Sequence, residues 1–160
     1  MTTYAVTGAS GQLGRKIVHA LLDLHLSPFD VIALARDTDK VEDLAALGVR
    51  VRAADYDAPE TLSSALEGVD RLVLVSGSEV GKRAQQHAAV LAAAEAAGVQ
   101  RIAYTSLLKA DTTTLGLAPE HVATEKALAA SPIETTFLRN SWYTENYTAQ
   151  IQGYVERGAI

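Results

Sequence analysis

The 160-residue chain contains no cysteine, which excludes a disulfide framework and thiolate chemistry. Positive charge is in short supply. Fourteen Lys and Arg stand against nineteen Asp and Glu, a net charge of −5. That balance argues against a surface built for nucleic acid or an acidic membrane. No apolar run approaches the roughly 20 residues that span a bilayer, so neither nucleic-acid binding nor membrane insertion is expected. The N-terminus lacks the basic stretch, apolar core and cleavage site of a secretion signal, and a cytoplasmic location is the expectation. There is no internal repeat, linker or low-complexity segment. The four histidines, His19, His25, His87 and His121, fall in no metal-ligand spacing. With no cysteine to complete a site, no metal is expected.

What is present is 48% apolar residues in 160, enough for one well-buried domain. Tyr4, Ala5 and Val6 make a short apolar strand that runs into Gly8, Gly11 and Gly14. A helix follows with Leu13, Ile17, Ala20, Leu21 and Leu24 on one face. Strand, glycine turn and helix form the opening of a dinucleotide-binding βαβ unit. Gly8 serves the tight turn, Gly11 the approach of a pyrophosphate, and Gly14 close packing of the helix. The helix N-terminus offers unpaired N–H groups and partial positive charge to phosphates.

The second strand, residues 30–36, is a continuous apolar run suited to burial on both faces. It ends at Arg36, where an NAD-binding domain usually places an acid on the ribose 2′-hydroxyl. A guanidinium there suits a 2′-phosphate, which points to NADPH. Asp37 and Asp39 lie close by, and a solvated surface arginine is the alternative. The third strand, residues 49–53, leads to Asp55, Tyr56 and Asp57, either a lid on an adenine ring or packing. The fourth, residues 70–75, ends in Ser76, Gly77 and Ser78, where ligands bind at the carboxyl ends of such strands. The next helix, residues 82–97, carries Ala84, Ala88, Ala89, Ala92, Ala93 and Ala94, small enough for close approach to the sheet.

The fifth strand, residues 100–106, ends in Thr105 and Ser106. The connection after it, residues 107–119, carries three threonines, Gly116 and Pro119 and suits a mobile flap. A helix over residues 120–130 carries Lys126. The sixth strand, residues 133–138, leads to Asn140, Trp142 and Tyr143, and a final helix fades toward Gly158. Six strands interleaved with helices predict an α/β fold, a doubly wound parallel Rossmann sheet of order 3-2-1-4-5-6. Lys126 either hydrogen-bonds a ribose or supports a developing anion, or it is a solvated lysine paired to Glu125 or Glu120. Trp142 and Tyr143 can stack on a flat ring, with Trp142 in the core as the alternative. Ser106 hydrogen-bonds substrate or cofactor, or only caps the turn after it.

Four stretches carry a family resemblance: VTGASGQLG, VSGSEVGKRAQQH, AYTSLLKADTTTLGLAPEHVATEK and LRNSWYTENY. With them the chain resembles the NmrA-like branch of the atypical short-chain dehydrogenases, and within it the quinone reductases, over essentially its whole length. The resemblance implies an NADPH site. Its glycine loop matches Gly8, Ala9, Ser10, Gly11, Gln12, Leu13 and Gly14, and its phosphate-reading arginine matches Arg36. Its segments after strands four and six match Ser76, Gly77 and Ser78, and Leu138, Asn140, Trp142 and Tyr143. It implies hydride delivery to a small quinone. Ser106, Lys126 and Tyr143 are the candidates for the catalytic region, and a homodimer is a further expectation.

Two departures stand out. The family's Tyr-x-x-x-Lys pair is missing, because Val122 lies four residues before Lys126. Ketone reduction needs a proton delivered to a strongly basic alkoxide. A hydroquinone anion is far less basic, so water can protonate it. The family also continues into a C-terminal substrate lobe that these 160 residues, read as one NADP-binding domain, do not contain. An NADP(H)-binding redox sensor without catalysis is the competing reading.

Overall fold

The structure is a computed structural model that describes residues 2–159. Six strands, β1 (Tyr4–Val6), β2 (Val31–Ala35), β3 (Arg50–Ala53), β4 (Arg71–Leu74), β5 (Arg101–Leu107) and β6 (Glu134–Asn140), form one sheet. Every pairing is parallel and the order is β3-β2-β1-β4-β5-β6, as the alternating pattern predicts. The helices are α1 (Gln12–Asp23), α2 (Glu42–Ala46), α3 (Pro59–Ala65), α4 (Arg83–Ala97), α5 (Ala118–Ala130), α6 (Glu145–Thr148) and α7 (Ile151–Arg157).

The sheet is covered on both faces, which is why β2 reads Val-Ile-Ala-Leu-Ala with all five residues buried. On one face Ala5, Ile32, Leu34, Leu72 and Leu74 pack with Leu62, Val90 and Leu128 of α3, α4 and α5. On the other, Val6, Val31, Ala33 and Ala35 pack with Val18 of α1 and Leu44 of α2. The strand order turns back between β1 and β4, so a crevice opens beyond their carboxyl ends.

Several expectations shift. The inward face of α1 is centred on Gly14 and Val18, while Ala20 is exposed and Leu24 is 71% exposed. Ile17 and Leu21 of the expected stripe do pack against the core as partly buried residues. Leu138 and Asn140 lie within β6, not after it, because residues 105–107 pair with residues 138–140. The connection after β5 is anchored, since Leu107, Ala110 and Ala118 are buried against Leu117 and Val122. The C-terminal stretch forms two short helices, α6 and α7, instead of one.

At one margin of the sheet, β3 carries two arginines. The Arg52 guanidinium donates to the carbonyls of Ala65 (2.9 Å) and Glu67 (2.7 Å) at the end of α3, where the helix presents partial negative charge. The Arg50 guanidinium lies 5.0 Å from the centre of the Phe29 ring. Among the described residues, no helix is long and apolar enough to cross a membrane.

Candidate functional site

The site begins with the glycine turn. Gly8 sits at φ +60, a conformation glycine adopts without steric cost. A Cβ on Gly14 would stand 2.3 Å from the Gly8 carbonyl oxygen, so only glycine lets α1 come this close under the turn. No side chain caps the start of α1. Its first-turn N–H groups are therefore left to face an anion. The Thr7 hydroxyl accepts from the Val75 N–H (2.9 Å) and donates to the Val73 carbonyl (3.2 Å), which ties the end of β1 to β4.

A cavity of about 730 Å³ lies between this turn and the segment after β4. Gly8, Ser10, Gly11, Gln12, Leu13 and Gly14 line one side, and Ser76, Gly77 and Ser78 the other. Arg36 stands at one end, and Trp142 and Tyr143 contribute from beyond β6. Trp142 is 55% exposed, so it is a rim residue and not core. The Arg36 guanidinium lies 3.6 Å from Glu79, while Asp37 turns to Lys40 at 3.4 Å. Sequence reading missed Lys16, which also lines the cavity and pairs with Glu145 of α6. Its place two residues after Gly14, near the start of the helix, was the available signal.

Other candidates lie elsewhere. Ala9 is fully buried behind the turn, its N–H on the Leu34 carbonyl at 3.0 Å. Leu138 does not line the cavity, and Asn140 reaches it only by donating to the Tyr143 hydroxyl at 2.9 Å. Ser106 is buried and donates to Glu125 at 2.6 Å. Arg139 donates to both oxygens of that carboxylate, at 3.0 and 2.7 Å. The Arg139 hydrogen bonds, helped by Ser106, hold the Glu125 carboxyl below its ordinary range. Lys126 is exposed and outside the cavity. Glu125 and Glu120 pair with Arg139 and Arg83. Tyr56 lines the cavity, but its hydroxyl donates to the Val75 carbonyl at 2.8 Å and its ring meets His87 edge-on. Burial pushes that phenol well above its usual range, so the hydroxyl stays a donor to Val75 while the ring remains part of the cavity wall.

A family model described as NAD(P)H-binding matches residues 8–158. The chain belongs to this NAD(P)H-binding family. Quinone oxidoreductase 2 of Escherichia coli is 52% identical over 156 residues, which cover 98% of this chain and 54% of that protein. An E. coli NADPH-dependent quinone oxidoreductase solved with NADPH superposes with a TM-score of 0.91 at 51% identity. The match covers 98% of this chain and 55% of that one. The Citrobacter triphenylmethane reductase solved with NADP(H) gives 0.90 at 40% identity, over 99% of this chain and 56% of that one. The chain thus spans about half the length of these relatives.

Behind the cavity wall, this NAD(P)H-binding chain buries two histidines that sequence reading left without a role. His87 is 1% exposed and His121 is 5% exposed. The Tyr104 ring lies between them, its hydroxyl 2.6 Å from His121 Nδ1. Burial pushes His87 down to about 3, with Arg83 and His121 acting in the same direction. Burial and Arg83 push His121 down to about 4. Among the described residues, no group of three His, Asp or Glu is placed to hold a metal.

The two depressed values set an acid dependence. The unfolded imidazoles take up protons near pH 6.5, whereas the folded ones stay neutral to about 4 and about 3. The unfolded state therefore binds more protons below pH 6.5, and stability falls as pH drops through that window. Going from pH 7 to pH 5 should cost about 2–4 kcal/mol. Urea midpoints at the two pH values measure this, and equal midpoints would contradict neutral buried imidazoles.

Proposed function

We propose that this chain binds NADPH along the carboxyl edge of the sheet and takes part in passing its hydride to a small quinone. The observation that carries this reading is one cavity that joins the glycine turn, Arg36 and the Trp142–Tyr143 pair. The residues present fit the cofactor. The start of α1 is uncapped, the turn is closed to any Cβ at Gly14, and a cation stands where a 2′-phosphate would be read. The 52% identity to a quinone oxidoreductase supports the same reaction class. A cytoplasmic location, where reduced nicotinamide is regenerated, belongs to this reading.

When bound, the reduced nicotinamide supplies the hydride, and the protein supplies place and electrostatics. The α1 N-terminus and the turn would hold the diphosphate. Arg36, 3.6 Å from Glu79, would read the 2′-phosphate. Trp142 and Tyr143 offer flat aromatic faces to a planar acceptor. The Tyr143 hydroxyl accepts from Asn140, so its own hydrogen is free to donate to a quinone oxygen as negative charge grows there. A hydroquinone anion is weakly basic, and solvent completes its protonation without a Tyr-x-x-x-Lys pair.

Loss of reduced-nicotinamide absorbance, measured with NADPH or NADH and with or without a benzoquinone, tests the reading. A triphenylmethane dye serves as a competing acceptor. Quinone-dependent oxidation that prefers NADPH is the expected result. Saturable NADPH binding with no oxidation would instead favour a redox sensor. Arg36→Ala should weaken NADPH about tenfold or more, as loss of a charge-assisted contact does, and leave NADH within about twofold. Equal losses for both nucleotides would remove Arg36 from phosphate reading.

A further inference from the structure

Residues 75–77 form the cavity wall at the point where the strand order reverses, and side chains hold their backbone at five atoms. The Val75 N–H goes to Thr7 Oγ1 (2.9 Å), and the Val75 carbonyl takes the Tyr56 hydroxyl (2.8 Å). The Ser76 N–H goes to Thr105 Oγ1 (2.8 Å). The Gly77 N–H goes to His87 Nε2 (3.0 Å), and the Gly77 carbonyl takes Arg83 Nε (2.7 Å). No N–H of these three residues is left for a phosphate. A ligand meets this wall through side chains such as Ser76 and Ser78, which the clamped backbone aims.

The Gly77 contacts close a ring. Because the Gly77 N–H is a donor, His87 Nε2 must present its lone pair, and the proton sits on Nδ1. Nδ1 then donates to Thr124 Oγ1 (3.0 Å), whose hydrogen goes to the Glu120 carbonyl (2.9 Å). The Glu120 carboxylate takes Arg83 Nη1 (2.8 Å), and Arg83 Nε returns to Gly77. Every donor in this ring has one acceptor, and the tautomer is over-determined. This buried network contributes nothing to the core that an apolar residue could not supply; what it adds is a fixed orientation of one peptide at the cavity.

We propose that His87, protonated on Nδ1, is a positioning residue for the nucleotide site, holding the Gly77 peptide so that residues 75–78 are set before the ligand arrives. The inference rests on the nucleotide reading of the cavity.

The experiment uses the full chain, with imidazole ¹⁵N shifts, exchange of the Gly77 amide hydrogen, and NADPH titration followed by fluorescence. The wild type should show the Nδ1–H tautomer at pH 7 and a slowly exchanging Gly77 amide. His87→Leu removes the acceptor. It should speed that exchange and weaken NADPH about tenfold or more, in line with loss of the hydrogen bond that fixes the Gly77 peptide at the cavity wall. His87→Gln keeps an acceptor at the end of the side chain and should restore affinity to within about threefold of wild type. An Nε2–H tautomer, a folded His87→Leu chain that binds NADPH like wild type, or a Gln variant no better than Leu would overturn the role of His87. If His87→Leu fails to fold, the wild-type tautomer and the Gln variant decide. A wild type with the Nδ1–H tautomer and a protected amide that binds no NADPH would instead overturn the nucleotide reading.

Discussion

Gly14→Ala is expected to abolish NADPH binding and to destabilise the fold by about 3 kcal/mol, the upper part of the range for overpacking. The added Cβ would stand 2.3 Å from the Gly8 oxygen, 2.7 Å from the Gly8 carbonyl carbon and 3.0 Å from the Ala9 Cα. All three are backbone atoms, so no rotamer change relieves the contact. Either α1 lifts or the turn deforms, and both carry the anion-facing N–H groups away from the cavity. Gly116→Ala is the control, because nothing lies within 4 Å of the place its methyl group would take and its φ is ordinary. That variant should stay within about 0.5 kcal/mol of wild type. Denaturant midpoints and NADPH titrations of the two variants settle the matter. Like behaviour would mean that close approach at Gly14 is not what shapes the turn.

The second large effect is expected at Glu120, which lies on α5 and does not line the cavity. Its carboxylate takes the Arg83 guanidinium at 2.8 Å and the backbone N–H groups of Gly81 (2.9 Å) and Arg83 (3.2 Å). The Arg83 and Glu120 side chains are 6% and 16% exposed. Glu120→Leu leaves a cation and two N–H groups without their acceptor, and breaking a buried pair from one side costs about 3–5 kcal/mol. The double variant Arg83→Met/Glu120→Leu should recover the part of that loss due to the stranded charge, while the Gly81 and Arg83 N–H groups and the Gly77 carbonyl stay without these partners. A double-mutant cycle measured by urea unfolding should give a coupling above about 1 kcal/mol. Strictly additive losses would show that the pair is not a unit.

The architecture was legible because apolar runs, glycine turns and helix patterns alternate in the order a doubly wound sheet requires. That the glycine turn would line a cavity was legible too, since it is built from nearly consecutive residues. What escaped was side-chain direction. Along β5, Tyr104 and Ser106 share one face and Thr105 takes the other. A two-residue step on the strand matches a four-residue step on α5. Tyr104 therefore meets His121 and Ser106 meets Glu125, while Thr105 turns to the Ser76 N–H. Proximity of Ser106 to the strand end was visible, but its commitment to α5 was not. In α4 the alanines drew the reading, whereas the site's support comes from Arg83, Gln86 and His87. These polar residues continue the buried stripe of Val90, Leu91 and Ala94 toward the N-terminus. A polar group on a core-facing stripe was the signal that could have found them.

The two margins of the sheet are unlike. At β3, a strand of four residues, guanidinium groups of Arg50 and Arg52 lie over a ring and a helix end. Charge on a short edge strand discourages another strand from docking there. At the opposite margin β6 runs for seven residues, and Arg139 is drawn back to Glu125 on α5. The two edges therefore differ in length and in where their charge is spent: β6 leaves seven residues of strand edge against four at β3.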